Sequence, residues 1–511
     1  MSAPGEHGGP ASAEGAPIRA DAPRQEALRP AASAIVICRT PALRLLWVLR
    51  AEANPFLGGF HSFPGGRHAR EDGPLGEGAE QDLRTMVRCA ARETFEETGL
   101  LPGFTGTLPP ADEQRRVRKE VLEGKTLFWP WAEERWKLLF DDTVYVPAGR
   151  WITPQFSRAR FNTNFFLVEL PKPIEPDVWP GELETGGWID PKEALRLWDD
   201  DRIALAMPTL HTLQVLAAGG HGLPRRLFDI PEANGVASRH VHVRPAITMV
   251  PMRSETLPPA THTNAVVVGD GDVVIVDPGS ADPDELAALD RVVEEAEGPK
   301  GRVLAILLTH RHKDHLAGVE AVRARYAAPV WAHAETAERI PIDRTLADGE
   351  RIDLPGRHPR RLRVLATPGH SRSHLAFFEE SSRTLIAGDT VSGMGTVVIA
   401  PPDGNMKSYL ATLERLRRLG VHALIPGHGP PQRGVARILD ALIEHRRMRE
   451  SRILRVLAEG PLSEEALRDQ VYADTPGADP ALALKTLQAH LEKLEEERSV
   501  ARVDGLVKRI G

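Results

Sequence analysis

Apolar residues fall in short runs broken by polar turns along almost the whole chain. AIVIC (34–38) and LRLLWVLR (43–50) flank a Pro-containing turn and predict a hairpin. A Gly-rich loop, FLGGFHSFPGG, precedes a helical stretch over 80–98, and a charged segment over 111–124 predicts a second helix. FNTNFFLVEL and ETGGWI predict strands; PKEALRLW and IALAMPTLHTLQVLA predict helices. AAGGHGLP (217–224) is rich in chain breakers and predicts a boundary. A second unit starts near 240. There AVVVG and DVVIVD form a hairpin around Gly269–Gly271, followed by helix 283–296, strand VLAILLT and helix 315–326. RLRVLAT, LAFFEE and TLIAGD continue an α/β alternation in which strands feed loops carrying His and Asp. From 436 three helical segments precede SVARV-DG-LVKRI, two short strands around an Asp-Gly turn. Residues 1–30 have no apolar period and predict a disordered tail.

Composition narrows the classes. The 511 residues suit about three domains. No run of 18 apolar residues predicts a membrane span. Two cysteines, Cys38 and Cys89, make no disulfide framework or thiolate zinc site, and the first residues lack a signal-peptide pattern. Together these predict a cytoplasmic protein with no membrane partner. With Lys+Arg at 64 and Asp+Glu at 71, a chain coating nucleic acid through overall charge is excluded. The 19 histidines are the compositional oddity beside so few cysteines.

LTHRHKDH places His310, His312, Asp314 and His315 where an apolar strand gives way to a helix. Neutral imidazoles and carboxylates are ligands that zinc-like divalent ions accept. One segment cannot complete two coordination spheres. His370 in TPGH, Asp389 in AGDT and His428 in PGHG each follow an apolar run beside Gly, and Asp277 in IVDPGS ends an earlier strand in the same way.

This series resembles the metallo-β-lactamase fold superfamily. The resemblance implies one metal on His310, His312 and His370, a second on Asp314, His315 and His428, and Asp389 bridging them. It implies two Zn²⁺, or Mn²⁺ or Fe²⁺, a bridging hydroxide as nucleophile, and Asp277 orienting ligands from behind. Within the superfamily, THTN (261–264), AGDTVSGMGT (387–396), PGHGP and the helical tail resemble the β-lactamase-like protein 2 group, over about 250–511. That group includes a single-stranded RNA endonuclease, and its cousins the hydroxyacylglutathione hydrolases are thioesterases. His374 is expected in a supporting or structural place. His262 and His333 are expected to line the cleft or pack, and His422, His445 and His490 to be ordinary surface or core residues.

In the first half, ARETFEETGL puts Glu93, Glu96 and Glu97 on one helical face, beside an apolar row of Leu83, Val87 and Ala90. Clustered carboxylates of this kind suit Mg²⁺ or Mn²⁺ holding a phosphate substrate. Gly99 is a natural helix end. With FPGG before it, the segment resembles the Nudix box, with Gly66 as its first Gly and Asp72 in the first acidic place. Some 12 residues are inserted, since 19 rather than seven separate Asp72 from Arg92, and Thr94 replaces an aliphatic residue. The insertion and RFNTNFF (160–166) resemble the branch containing peroxisomal coenzyme A diphosphatases. By that resemblance Glu93, Glu96 and Glu97 bind metal and Arg92 orients a carboxylate; the motif does not place the base, for which Glu182 and Glu184 are the candidates.

The expected fold is therefore α/β and α+β multidomain. After the tail come a Nudix α/β/α sandwich (31–225), a metallo-β-lactamase αββα sandwich (240–435) and a small winged-helix-like tail (436–511). The expected function is a bifunctional hydrolase. Asp314, Asp389, Glu97 and Arg92 are its candidate catalytic residues, and a nucleotide or coenzyme A-type compound is its first substrate. For the second half, cleavage of single-stranded RNA is the expected activity and hydrolysis of an acyl thioester its alternative, and the Nudix half alternatively serves as a sensor without turnover. Residues 436–511 carry 13 Lys and Arg against 14 Asp and Glu, so the tail has no overall basic footprint. One helix nevertheless collects Arg446, Arg447, Arg449, Arg452 and Arg455; a lid or a homodimer contact is the alternative use of the tail.

Overall fold

Strand Arg29–Cys38 pairs parallel with Phe161–Leu170 and antiparallel with Arg44–Arg50, at the centre of a seven-stranded mixed sheet. Alternation along it feeds two cores. Ala32, Ala34 and Val36 pack under helix Ala79–Thr98, while Ile35 and Ile37 face helices Pro191–Asp199 and Met207–Ala218 on the other side. This computed structural model describes residues 28–510 apart from 53, 55–56, 156, 158, 299–300 and 476. The expected tail thus lies almost wholly outside the described residues, and its boundary at 30 moves back because Arg29 and Pro30 already belong to the first strand.

The second half is an αββα sandwich. A seven-stranded sheet running from Val241–Arg244 to Arg344–Thr345 faces a five-stranded sheet running from Arg351–Leu354 to Ala423–Pro426. Val266, Val268, Val274 and Val276 meet Val364 and Phe377 between the sheets. Their neighbours Val267 and Ile275 point outward to helix Pro283–Glu297. Helix Met406–Leu419 covers the other face. The architecture is mixed α/β and multidomain, and no described helix is long and apolar enough to cross a membrane.

Four expectations shift. The helix over IALAMPTLHTLQVLA begins only at Met207, where Pro208 is pre-set for a first turn. The breaker segment 217–224 does not close the first domain: Leu223, Leu227 and Ala233 still pack into the core that holds Trp151. Helix 315–326 is two pieces, Lys313–Leu316 and Val319–Tyr326; they are separated at Gly318, where an added Cβ would stand 2.3 Å from the Ser280 carbonyl. No linker marks 436, since helix Val435–Val456 gives Leu439 and Ile443 to the sandwich core and Ile453 to the tail core. The tail itself is this helix, Glu464–Val471, Pro480–Glu496 and the hairpin Val500–Val503/Leu506–Arg509.

The halves meet through buried arginines. Arg360 pairs with Asp201 and donates to the Pro245 carbonyl at 2.6 Å, and Arg244 donates to the Ile203 carbonyl at 2.7 Å.

Candidate metal centre and carboxylate site

Four strand ends converge on one pocket. Val303–Leu307 leads into His310, Arg360–Ala366 towards His370, Thr384–Gly388 into Asp389, and Ala423–Pro426 into His428. Two glycines permit the approach. A Cβ on Gly427 would stand 2.2 Å from Asp389 Oδ1, and one on Gly388, at φ 48°, 2.8 Å from Thr309.

All seven expected ligands come together. Potential ligand atoms lie within 4.8 Å of one another in three groups: His310/His312/His370, His310/His315/Asp389 and Asp314/His315/His428. His312 Nδ1 is 3.0 Å from His310 Nε2 and 2.9 Å from His370 Nε2. His428 Nε2 lies 3.4 Å from Asp314 Oδ2. Asp389 reaches both sets, with Oδ2 3.5 Å from His370 Nε2 and Oδ1 3.3 Å from His428 Nε2.

The outer nitrogen of each ring is already engaged. His310 Nδ1 faces the Thr309 hydroxyl at 3.0 Å, and that hydroxyl spends its own hydrogen on Asp277 Oδ2. Nδ1 of His315 meets Asp277 Oδ2 at 2.8 Å, that of His370 the Val398 carbonyl at 2.7 Å, and that of His428 the His262 carbonyl at 2.9 Å. His312 is turned the other way, with Nε2 3.2 Å from Asp403 Oδ2. A ring that donates on its outer side presents a lone pair inward, so five lone pairs and two carboxylates point at a common space. Buried His315 Nε2 and Asp389 Oδ1 have no hydrogen-bond partner. Such a donor set is repulsive by itself and fits divalent cations.

In the first half, Arg92 is the hub. It grips buried Asp72 at 2.8 and 2.9 Å and bonds Glu93 and Glu96 at 2.9 Å each. Between Asp72 and Arg92, residues 73–78 make a short loop and the rest lengthen the helix Ala79–Thr98 while the pair closes. Arg92 is itself buried, its guanidinium taken up by these carboxylates and by the Arg67 carbonyl. The three glutamates share the helix face but do not form a three-ligand cluster like those of the histidines: Arg92 stands between Glu93 and Glu96, and Glu97 accepts the Gly65 N–H at 3.0 Å. Gly66 is the close approach, since a Cβ there would meet Glu93 Oε2 at 2.3 Å. Buried Thr94 satisfies its hydroxyl on the Ala90 carbonyl at 2.7 Å, so the helix accepts it in place of an aliphatic residue. Gly99 ends the helix at φ 73°. Leu83 departs from the expected apolar row, being 39% exposed while Val87 and Ala90 are buried. Burial pushes the Glu93 carboxyl up to about 8, against the pull of Arg92, and burial with Glu93 nearby pushes Glu97 well up. Of the two expected bases, Glu182 pairs with Arg50 at 2.6 Å, while Glu184 is occupied by the Glu52 N–H at 3.1 Å.

Residues 258–428 match the family model of the metallo-beta-lactamase superfamily. The second half of this chain contains a metallo-β-lactamase domain. The chain is 29% identical to the "Beta-lactamase-like protein 2 homolog" of Caenorhabditis elegans over 45% of its own length and 78% of that protein. It is 31% identical to the hydroxyacylglutathione hydrolase of Bdellovibrio bacteriovorus over 30% of its length and 56% of that protein. Among solved structures, a NUDIX hydrolase from Alicyclobacillus acidocaldarius covers 38% of this chain and 92% of its own, at 28% identity and a TM-score of 0.32.

The metallo-β-lactamase domain also uses residues that the sequence reading had not singled out. Thr309 relays between Asp277 and His310, and Asp403 faces His312. Their only signals were adjacency to the motif and a Pro-Pro-Asp-Gly turn. Buried His374 accepts the Asp389 N–H on Nε2 at 3.0 Å and faces Thr367 Oγ1 with Nδ1 at 2.8 Å, the expected supporting place. His333 caps the short helix Ala334–Glu338, and His490 is buried against Glu450 at 3.2 Å.

Behind this domain, two of the five arginines of the tail helix are internal and two more are held in ion pairs. Arg446 donates to the Val397 carbonyl at 2.6 Å and Arg449 to the Val471 carbonyl at 2.7 Å, both buried. Arg447 pairs with Glu414 at 2.8 Å and Arg452 with Asp474 at 3.0 Å. The five arginines thus do not form one free basic face.

Proposed function

We propose that the chain is a bifunctional metal-dependent hydrolase. The metallo-β-lactamase domain acts on a small-molecule acyl thioester, and the carboxylate site of the first half on a nucleoside-diphosphate-linked compound of coenzyme A type. The observation that carries the hydrolase reading is the inward set of lone pairs fixed by the outer hydrogen bonds of His310, His312, His315, His370 and His428. Divalent ions held there, Zn²⁺, Mn²⁺ or Fe²⁺, would lend Lewis acidity to the bond under attack and to the attacking water. Asp389 links the two ligand sets, Asp277 and Thr309 keep the rings in register, and His374 holds the Asp389 backbone.

A thioester is favoured over RNA because four of the five arginines on the tail helix, Arg446, Arg447, Arg449 and Arg452, are spent on carbonyls and carboxylates. The names of relatives point the same way, a hydroxyacylglutathione hydrolase and "Thioesterase pkgB" of Emericella nidulans among them. In the first half, Glu93, Glu96 and Glu97 would hold Mg²⁺ or Mn²⁺, with Arg92 and Asp72 fixing the helix and Glu182 as the base. A coenzyme A-type substrate would give the two centres one family of compounds to act on.

The test is a product screen on the metal-loaded full chain with acyl-coenzyme A, coenzyme A, nucleoside diphosphate sugars and single-stranded RNA. His312→Ala should abolish thioester cleavage and spare diphosphate cleavage; Glu97→Gln should do the reverse. RNA cleavage that disappears in His312→Ala would replace the thioester reading. Binding of coenzyme A without turnover would make the first half a sensor.

A further inference from the structure

His312 is the one ring of the five whose inward atom is Nδ1. It is also loosely packed, with its side chain 37% exposed against 11% for His370 and 8% for His428. Its ring packs edge-on against those of His310 and His370, and no backbone carbonyl holds its outer nitrogen. Its outer Nε2 faces one group, Asp403 Oδ2, at 3.2 Å.

Asp403 is itself held from several sides. Arg311, the residue between the first two histidines of the motif, donates Nη2 to Oδ1 at 2.8 Å and Nε to Oδ2 at 3.4 Å. The Arg372 N–H donates to Oδ1 at 3.2 Å, two residues beyond His370. The turn that carries Asp403 is pinned next door, where Asn405 Oδ1 accepts the Ser408 N–H at 2.9 Å and starts helix Met406–Leu419. Arg311 is braced in turn by an ion pair with Glu338. Asp403 therefore joins the flanks of His312 and His370 and stands at the atom of His312 that must keep its proton.

We infer that Asp403 is a positioning residue of the metal centre, which holds His312 in its Nε2–H form and commits Nδ1 to the ion shared with His310 and His370. A carboxylate there also enriches the ring's inward lone pair. The inference rests on the metal-centre reading above. It implies that loss of Asp403 weakens one ion and not the other, because Asp314, His315 and His428 take no support from it.

The experiment uses the full chain stripped of metal. Zn²⁺ affinity is read by competition with a chromophoric chelator, ligand geometry by the visible spectrum of the Co²⁺ form, and folding by thermal unfolding without metal. Asp403→Ala should weaken one of two ions by about 10–100-fold, leave the other unchanged, and alter the Co²⁺ bands of one site. Asp403→Asn, which keeps an acceptor oxygen, should recover part of that loss. Glu338→Gln, which breaks only the outer pair of Arg311, should leave both ions in place. Wild-type affinity for both ions in Asp403→Ala overturns the inference, and so does equal loss of both ions with a lowered melting temperature. If Asp403→Ala does not fold, the Asn variant decides alone: it must show selective weakening of one ion. A wild-type chain that takes up no ion would overturn the metal-centre reading and this inference with it, whereas two ions held with wild-type affinity in Asp403→Ala overturn only the inference.

Discussion

Asp277 Oδ2 stands 2.8 Å from Nδ1 of His315, and the same carboxylate accepts both the hydroxyl and the N–H of Thr309, at 2.5 and 2.8 Å. One residue, held at φ 47°, thus braces both ends of the His310–His315 segment. Strain of this kind persists only where the surroundings impose it.

Removing that brace should cost both folding and metal. Asp277→Ala deletes one partner of a buried ionic network, so the metal-free chain should lose about 3–5 kcal/mol in urea unfolding. Asp277→Asn tolerates the left-handed backbone and keeps acceptor capacity. It should stay folded while metal affinity falls by about 10–100-fold. Unchanged stability in the alanine variant would show that the motif is supported from elsewhere.

The two ligand sets should load with different pH dependence. Burial, helped by neighbouring imidazoles, pushes His310 well down and His312 to about 4, so both are neutral without metal. For His315 and His428 burial also pushes downward, but Asp277 and Asp389 outweigh it for His315, and Asp389 does so for His428. Both of these therefore keep a second proton to higher pH than an ordinary imidazole in the metal-free chain. Their contribution to its stability is full below the ordinary imidazole value and is lost as pH rises through the raised values. An ion on Asp314, His315 and His428 must expel protons, so its affinity should climb with pH. Equilibrium dialysis over a range of pH should show the affinity for the second ion climbing with pH while that for the first changes little. Calorimetry in buffers of different ionisation enthalpy should show proton release confined to the second ion. Release from the first ion alone would reverse the assignment.

The sequence made the metal centre legible because its ligands are set by local motifs: each His or Asp follows an apolar strand and sits beside Gly or a helix start. What it hid was contact between distant segments. Asp403 lies 91 residues from His312, and no period links them. The carboxylate helix shows the opposite limit. Spacing placed Glu93, Glu96 and Glu97 on one face, yet where the carboxylates point depends on Arg92, Asp72 and the Gly65 backbone. The arginine run misled for a related reason. Helical spacing cannot distinguish a basic surface from guanidinium groups reaching carbonyls under a neighbouring element, as Arg446 and Arg449 do.

Contact between the halves should make them unfold together. Arg360 is buried where it pairs with Asp201 and approaches Glu379 at 3.5 Å. Arg360→Ala strands those carboxylates and should cost about 3–5 kcal/mol. Scanning calorimetry should then resolve two transitions where the wild type shows one. A single transition in the variant would mean that the remaining contacts, Arg244 with Ile203 among them, suffice.

The carboxylate site offers a test of its own charge balance. Burial holds the Glu93 carboxyl at about 8, opposed by Arg92, so in the metal-free chain it stays largely protonated at neutral pH. A carboxyl raised on folding means that the folded chain binds more protons than the unfolded one between about pH 4.5 and 8. Stability therefore falls as pH rises through that window, by up to about 1.4 kcal/mol per pH unit for this one group. Glu93→Gln removes the group and should flatten the wild-type slope between pH 5 and 8. Mg²⁺ or Mn²⁺ should flatten it too, by stabilising the ionised form, and in the glutamine variant the same ions should add little. The measurement is chemical unfolding at several pH values, with and without Mn²⁺, on chains carrying His312→Ala to silence the other centre. Parallel slopes in wild-type and Glu93→Gln backgrounds would show that Glu93 is ionised throughout and that Arg92 prevails over burial.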